Sequence, residues 1–262
     1  MDDNDVRRCW EENAEAWTAL SRAGYDRSRD LMNTPAFMRI LPEIRGLRGL
    51  DIGCGESHNT RLLAQRGASM TGIDFAPTFL KYARQAEQDA PLGVEYVEGS
   101  AAHLPFENAQ FDFVTGFMSL QDMADQSGAI AEAFRVLRSG GFFQFLITHP
   151  CFQTPKWGWV RDATGRKTAL TVGDYFRDET CRVDEWIFGA APEELKQRYP
   201  KFKTPYFEHT LSHWLNMLVR AGFLLEAFEE PTADDATLAE NPEYYDARII
   251  AFFLIIRCRK PA

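Results

Sequence analysis

Two aspartates and a pair of glycines carry the first chemical signal in this chain. Asp51-Ile52-Gly53-Cys54-Gly55 sets a carboxylate at the end of a short apolar run, with alternating glycines just beyond it. Asp74 closes a second run, Met70 to Ile73, about twenty residues after the turn. Glycines at alternate positions let backbone lie against a ligand and take φ/ψ values closed to other residues. A carboxylate ending the second strand can accept hydrogen bonds from ribose hydroxyls. Together these point to a nucleoside ligand. Other residues suit proton transfer: His149 in His149-Pro150-Cys151-Phe152, Asp122 beyond a third apolar run, and His209 with His213 at the opening of a late helix. Each also has a structural alternative. His149 could bond loop backbone, Asp122 could turn the chain, and His209 and His213 fit a helix N-terminus.

The elements that must position these residues follow from periodicity. Leu47, Leu50 and Ile52 supply a buried strand, the glycines a turn, and Thr60-Arg61-Leu62-Leu63-Ala64 the start of a helix. Strand and helix patterns then alternate. Strands are expected over Met70–Ile73, Val94–Val97, Phe111–Phe117 and Phe142–Thr148, the last after a Gly140-Gly141 turn. Helices are expected over Pro77–Ala90 and Ser127–Leu137. This alternation predicts a mostly parallel sheet with helices on both faces. Upstream, Val6 to Ala23 reads as a helix ended by Gly24, and Thr34-Pro35 as an N-cap with proline in the first turn. Downstream, the rhythm breaks at His149-Pro150, and no clear period runs to about Thr204. A helix over Leu211–Arg220 and strands over Phe223–Phe228 and Arg248–Arg257 close the chain. The organisation expected is a helical preface over 1–46 and one α/β domain over 47–262, carrying an aromatic-rich insertion at 150–207.

Composition narrows the classes. The chain has 262 residues, 45% hydrophobic and 26% charged, which suits a globular domain with a full core. A net charge of −9 argues against recruitment to nucleic acid or to an anionic membrane by bulk electrostatics. The five cysteines, Cys9, Cys54, Cys151, Cys181 and Cys258, are scattered and form no Cys-x-x-Cys pair, so neither a disulfide framework nor a metal is expected. The acidic start, Met1-Asp2-Asp3-Asn4-Asp5, does not resemble a secretory signal. The longest apolar run, Ile249 to Ile256, is too short to span a bilayer. A cytoplasmic location is expected.

Two nucleotide readings compete for the glycine turn. A dinucleotide fingerprint needs a third glycine three residues after the second, where this chain has His58. An adenosyl site needs the acidic residues and glycines found at Asp51, Gly53, Gly55 and Asp74. Here the chain resembles the class I S-adenosylmethionine-dependent methyltransferases, particularly their small-molecule "type 11" group. The resemblance is carried by Leu50-Asp51-Ile52-Gly53-Cys54-Gly55, Gly72-Ile73-Asp74, Leu104-Pro105-Phe106 before Phe111-Asp112, Arg135 to Gly141, and Leu211 to Gly222.

That resemblance implies a Rossmann-like, doubly wound, seven-stranded sheet, mostly parallel with an antiparallel last strand. It implies S-adenosylmethionine as cofactor, S-adenosylhomocysteine as product, and the cofactor over the carboxyl ends of the first strands. The residues it assigns to cofactor binding are Asp51, Gly53, Cys54, Gly55, Asn59, Asp74, Phe75, Ser100, Ala101, Ala102, Phe117 and Met118, with Tyr25 of the preface closing over the methionine side. Two positions depart from the family pattern. Ser57 stands where the turn has a third glycine, and Ser100 stands where an acidic residue usually reads the adenine amino group.

The function expected is in-line methyl transfer to an oxygen or nitrogen of a small organic acceptor of apolar or aromatic character, with neither nucleic acid nor membrane as partner. His149, Asp122 and His209 are the candidates for removing a proton. The insertion's aromatics (Phe152, Trp157, Trp159, Tyr175, Phe176, Trp186, Phe188) would form a lid over the acceptor, or alternatively only the core of an added subdomain. Two further readings are an RNA or protein methyltransferase and a non-catalytic binding protein of the same fold.

Overall fold

The computed structural model describes residues 1–176 and 181–262. The chain opens with α1 (Asp3–Arg22), whose N-terminus is closed by a capping box between Asp2 and Asp5. A π-helical turn, Arg29–Asn33, then runs straight into α2 (Thr34–Ile40). Thr34 is therefore not the N-cap its sequence context predicts. Its backbone is already helical, and its hydroxyl donates to Asn59 Oδ1 at 3.1 Å.

Next come β1 (Arg48–Ile52), α3 (His58–Gln65), β2 (Ser69–Asp74), α4 (Pro77–Asp89), β3 (Glu95–Glu98), β4 (Phe111–Phe117), α5 (Gln126–Val136) and β5 (Leu137–Thr148). The expected Gly140-Gly141 turn is a bulge inside β5, where pairing jumps from Phe111–Leu137 to Phe113–Phe142. The segment without visible period folds into two hairpins, β6 (Lys156–Arg161) with β7 (Lys167–Gly173), and β8 (Arg182–Trp186) with β9 (Phe202–Tyr206), the latter enclosing α6 (Glu193–Arg198). The chain ends with α7 (Leu211–Arg220), β10 (Leu224–Glu229), α8 (Asp235–Glu240) and β11 (Phe253–Arg259).

β11 starts later than the apolar run suggests. Pro242–Arg248 is a 3-10 helix that buries Ala247, and Arg248 Nε donates to the carbonyl of Ala233. The expected strand at Arg248 is thus corrected to begin at Phe253.

The main sheet has the order β10-β11-β5-β4-β1-β2-β3. β1, β2, β3, β4 and β5 pair in parallel, and β11 runs antiparallel to both β5 and β10. Apolar side chains fill both faces. On one, Ile130 and Ala133 of α5 and Trp214 and Leu218 of α7 cover Leu50, Val114, Phe143 and Phe145. On the other, Phe37 of α2 and Leu63 of α3 pack with Met70, Phe113 and Leu146. Burial on both sides explains why these strands read as continuous apolar runs. The strand order reverses between β1 and β4, so the carboxyl ends of β1, β2 and β4 open onto a crevice.

Candidate functional site

That crevice deepens into a cavity of about 900 Å³. Its floor is the turn after β1. The N–H groups of Gly53 and Cys54 both donate to the carbonyl of Ile73, at 2.8 and 3.0 Å, tying the turn to the end of β2. Gly53 has φ +67°, and a Cβ there would lie 2.5 Å from Ser119 Cβ, so no other residue fits. Gly55 has φ +53° and nothing within 4 Å of where a Cβ would stand, which leaves an open face of backbone.

Two buried carboxylates flank the turn. Asp74 accepts from Gly55 N–H and from Ala76 N–H, each at 2.9 Å, so it links the glycine turn to the start of α4. Asp51 accepts from Thr60 Oγ1 at 2.6 Å and from Thr115 Oγ1 at 2.8 Å. Burial pushes each up to about 6, against the hydrogen bonds it accepts.

The cavity brings together Tyr25, Asp51, Gly53, Cys54, Gly55, Asn59, Asp74, Phe75, Ser100, Ala101, Ala102, Phe117 and Met118. The proton-transfer candidates separate. Asp122 lines the cavity, on a 3-10 turn after β4, and burial raises it well above the usual carboxylate range. His149 and His209 are not among the lining residues. His149 Nδ1 accepts from Cys151 N–H at 3.2 Å, which leaves its Nε2 to donate to Glu230 Oε1 at 3.0 Å. Neither nitrogen is free for a substrate, and burial holds the imidazole's pKa below its usual value although Glu230 pulls it up. His209 stacks on His213 at 4.0 Å between ring centroids, and burial, followed by that neighbour, pushes it down to about 4.

Several lining residues carried no sequence signal. Thr204 and Tyr206 of β9 reach the same cavity as the glycine turn, as does Trp17 of α1. Of the insertion aromatics expected as a lid, Trp186 and Phe188 line it, whereas Phe152, Trp157, Trp159, Tyr175 and Phe176 do not. Arg182 lies 4.4 Å over the Tyr206 ring and pairs with Asp184 at 2.9 Å and with Glu208. Arg29, on the π-helical turn, is buried with Glu56, which also takes a 2.8 Å ion pair from Arg22. Asp3 is the least expected, since the acidic start of a chain normally reads as a solvated terminus. Among the described residues there is no cluster of three or more His, Cys, Asp or Glu that could hold a metal ion, and no helix long and apolar enough to cross a membrane.

Residues 50–145 match a family model described as a methyltransferase domain. A crystal structure of an S-adenosylmethionine dependent methyltransferase from Mesorhizobium loti superposes with a TM-score of 0.70 at 28% identity, covering 86% of this chain and 96% of that one. A demethylmenaquinone methyltransferase of Listeria welshimeri is 30% identical over 143 residues, 53% of this chain and 60% of that protein. A fatty-acid O-methyltransferase of Mycolicibacterium smegmatis is 32% identical over 117 residues, 44% of this chain and 42% of that protein. The chain thus spans about half the length of these two curated relatives.

Proposed function

The chain is a class I S-adenosylmethionine-dependent methyltransferase, and we propose that it methylates an oxygen or nitrogen of a small, apolar or aromatic organic acceptor. The cofactor supplies a methyl group on a sulfonium sulfur, open to in-line displacement. The residues present fit such a cofactor: Gly55 leaves an open face of backbone, and both Asp74 oxygens keep lone pairs after their backbone bonds. In this reading Asp74 accepts from the ribose hydroxyls. Asp51, fixed by Thr60 and Thr115, steadies the turn and faces the amino acid end. Tyr25, Phe117 and Met118 exclude water around the cation, a task aromatic faces suit.

The observation that carries the acceptor assignment is the continuity of the cavity. The glycine turn and an aromatic wall of Trp17, Trp186, Phe188 and Tyr206 line one space. At about 900 Å³ it lies near the top of the roughly 300–1,000 Å³ range of small-molecule sites. A displacement site must hold two molecules side by side, with the reacting atoms about 3–3.5 Å apart. The relatives that act on a demethylmenaquinone and on a fatty acid support an apolar acceptor. Against an RNA substrate stands the chain's net charge of −9; residues of the β8–β9 hairpin line a cavity of small-molecule size.

Asp122 is the group we assign to the acceptor's proton. Burial disfavours its charged form, and a cation brought into the same cavity offsets that cost, so that its own proton leaves to solvent and the carboxylate takes the proton from the acceptor. His149 and His209 serve structure in this scheme.

A panel of phenols, hydroxyquinones, carboxylic acids and aromatic amines, assayed for S-adenosylhomocysteine release, tests the class. D122N should keep affinity for S-adenosylhomocysteine, which lacks the sulfonium charge, and lose about a hundredfold in kcat on the best acceptor. D74A should weaken S-adenosylhomocysteine about thirtyfold. Tight cofactor binding with no turnover on any panel member would instead favour a non-catalytic binding protein.

A further inference from the structure

The first turns of α1 wall one end of the cavity. Asp3, Val6 and Trp10 stand three and four residues apart, on one helical face, and all line it. Their placement is fixed from outside the cavity. Glu11 accepts from Thr78 N–H at 3.1 Å and Thr78 Oγ1 at 2.5 Å, locking α1 to the start of α4. Arg7 pairs with Glu98 at 2.5 Å, at the end of β3.

Within the cavity, Ser100 Oγ donates to Asp3 Oδ2 at 3.2 Å and accepts from Ala102 N–H at 3.2 Å. The single hydroxyl proton of Ser100 is committed to Asp3. Among the described residues, Asp3 Oδ1 has no donor and the Ala101 N–H no acceptor. A carboxylate oxygen and a backbone donor are therefore left open on the same wall. The strand register sets where this wall lies. Asp74 pairs with Glu98, and Gly99 N–H donates to the carbonyl of Asp74 at 3.0 Å, so Ser100 follows the residue that abuts the Asp74 backbone.

We propose that Asp3, held by Ser100, is the residue that selects adenine, its free carboxylate oxygen accepting from the exocyclic amino group while Ala101 N–H donates to the adjoining ring nitrogen. The assignment rests on ribose binding at Asp74: a base joined to that ribose reaches the neighbouring β3 wall. A carboxylate beside a backbone donor matches the amino and ring-nitrogen edge of adenine. It repels the edge of hypoxanthine, where a carbonyl oxygen replaces the amino group and the ring nitrogen carries hydrogen. The recognition carboxylate is thus supplied by the N-terminal helix rather than by the loop after β3.

Calorimetric titration with S-adenosylhomocysteine and S-inosylhomocysteine tests this. The wild-type protein should prefer the adenosyl ligand at least tenfold. D3A should weaken the adenosyl ligand about tenfold and leave the inosyl ligand unchanged or tighter. D3N, whose amide can donate to the hypoxanthine carbonyl, should tighten the inosyl ligand several-fold. S100A should give a smaller loss confined to the adenosyl ligand. Equal weakening of both ligands by D3A, or no change in either, would overturn the proposal and leave Asp3 as a residue of the helix's first turn. Should D3A not fold, D3N and S100A decide the question on the same comparison. D74A reports on the underlying placement: if it weakens neither ligand, ribose binding at Asp74 fails, whatever the Asp3 variants do.

Discussion

Asp74 shows how one buried carboxylate couples the turn to pH. Each oxygen holds a backbone N–H, yet burial dominates and pushes the group up to about 6. The folded protein therefore binds this proton more tightly than the unfolded chain. The group's favourable contribution is full below about 4 and is lost as pH rises through about 6. Ligand binding works in the opposite sense, because ribose hydroxyl donors favour the carboxylate. S-adenosylhomocysteine affinity should therefore rise with pH up to about 6.5 and then level, changing by up to about tenfold per unit below 6. Calorimetry at pH 5, 6, 7 and 8 measures this, and D74N should flatten the profile. An unchanged slope in D74N would assign the titration to Asp51 or Asp26, which burial also lifts to about 6. Ser57 offers a second test at this scale. It is fully buried with φ +80°, in the left-handed region that costs a side-chain-bearing residue about 1–2 kcal/mol, and its hydroxyl meets that of Tyr96. Y96F removes the partner but not the backbone cost, and should destabilise by about 1 kcal/mol. Adding S57G to Y96F should recover about 1 kcal/mol in urea denaturation, whereas S57G alone should be nearly neutral. Additive effects of the two substitutions would show that the bond does not offset the conformation.

β1 sets the geometry of the turn because it lies inside the sheet between β4 and β2, and Gly49 is where its packing is tightest. A Cβ there would stand 2.2 Å from Phe113 Cζ and 2.6 Å from Met70 Sδ, on the neighbouring strands β4 and β2. Phe113 is also stacked on Phe142 at 5.3 Å and cannot retreat. G49A should cost about 3 kcal/mol, as a displaced central strand. Alanine at Gly24 would meet nothing within 4 Å, so G24A reports only the price of its φ of +84°. Equal melting temperatures for wild type and G49A would contradict the packing argument. The central strands were legible from sequence because burial on both faces writes itself as an apolar run. The two hairpins were not, because β6, β7 and β8 carry exposed or half-buried residues on both faces and so show no period of two. The site was legible in the same uneven way. Gly53, Gly55, Asp51 and Asp74 are fixed by local turn chemistry, which one short stretch encodes. His149 follows β5 at the productive edge, but sequence position gives only where its backbone stands. That its ring turns to Glu230 depends on a loop some eighty residues away. Asp3 shows the same limitation, since its partner is 97 residues distant.

At the scale of the molecule, the site is a space shared by three bodies: the sheet edge, α1, and the β8–β9 hairpin. Trp17 is where two of them are pinned. Its ring lies 5.3 Å from Trp10, 5.5 Å from Trp186, 5.0 Å from Phe188 and 4.9 Å from Phe202. Polar contacts supplement this cluster: the Asn13 amide donates to the Lys203 carbonyl and its Oδ1 accepts from the Lys203 N–H, each at 2.9 Å. Neither α1 nor the hairpin contributes a strand to the main sheet, so their docking can loosen without breaking a sheet ladder. W17A removes the common ring, a loss of about 3–5 kcal/mol if the cavity does not collapse. Because that loss falls on the contact between α1 and the hairpin, it should appear as local opening rather than as global unfolding. Hydrogen exchange should then speed up in α1, β8 and β9 by two or more orders of magnitude, while amides of β1, β4 and β5 keep their protection. Saturating S-adenosylhomocysteine should restore protection to α1 in W17A, since a ligand that contacts α1 favours its docked state by its own binding energy. If exchange instead accelerated uniformly across the sheet, α1 and the hairpin would be integral to the core, and the cavity could not open by their movement. If the ligand protected the sheet turn but left α1 unchanged, the N-terminal helix would wall the site without touching what it holds.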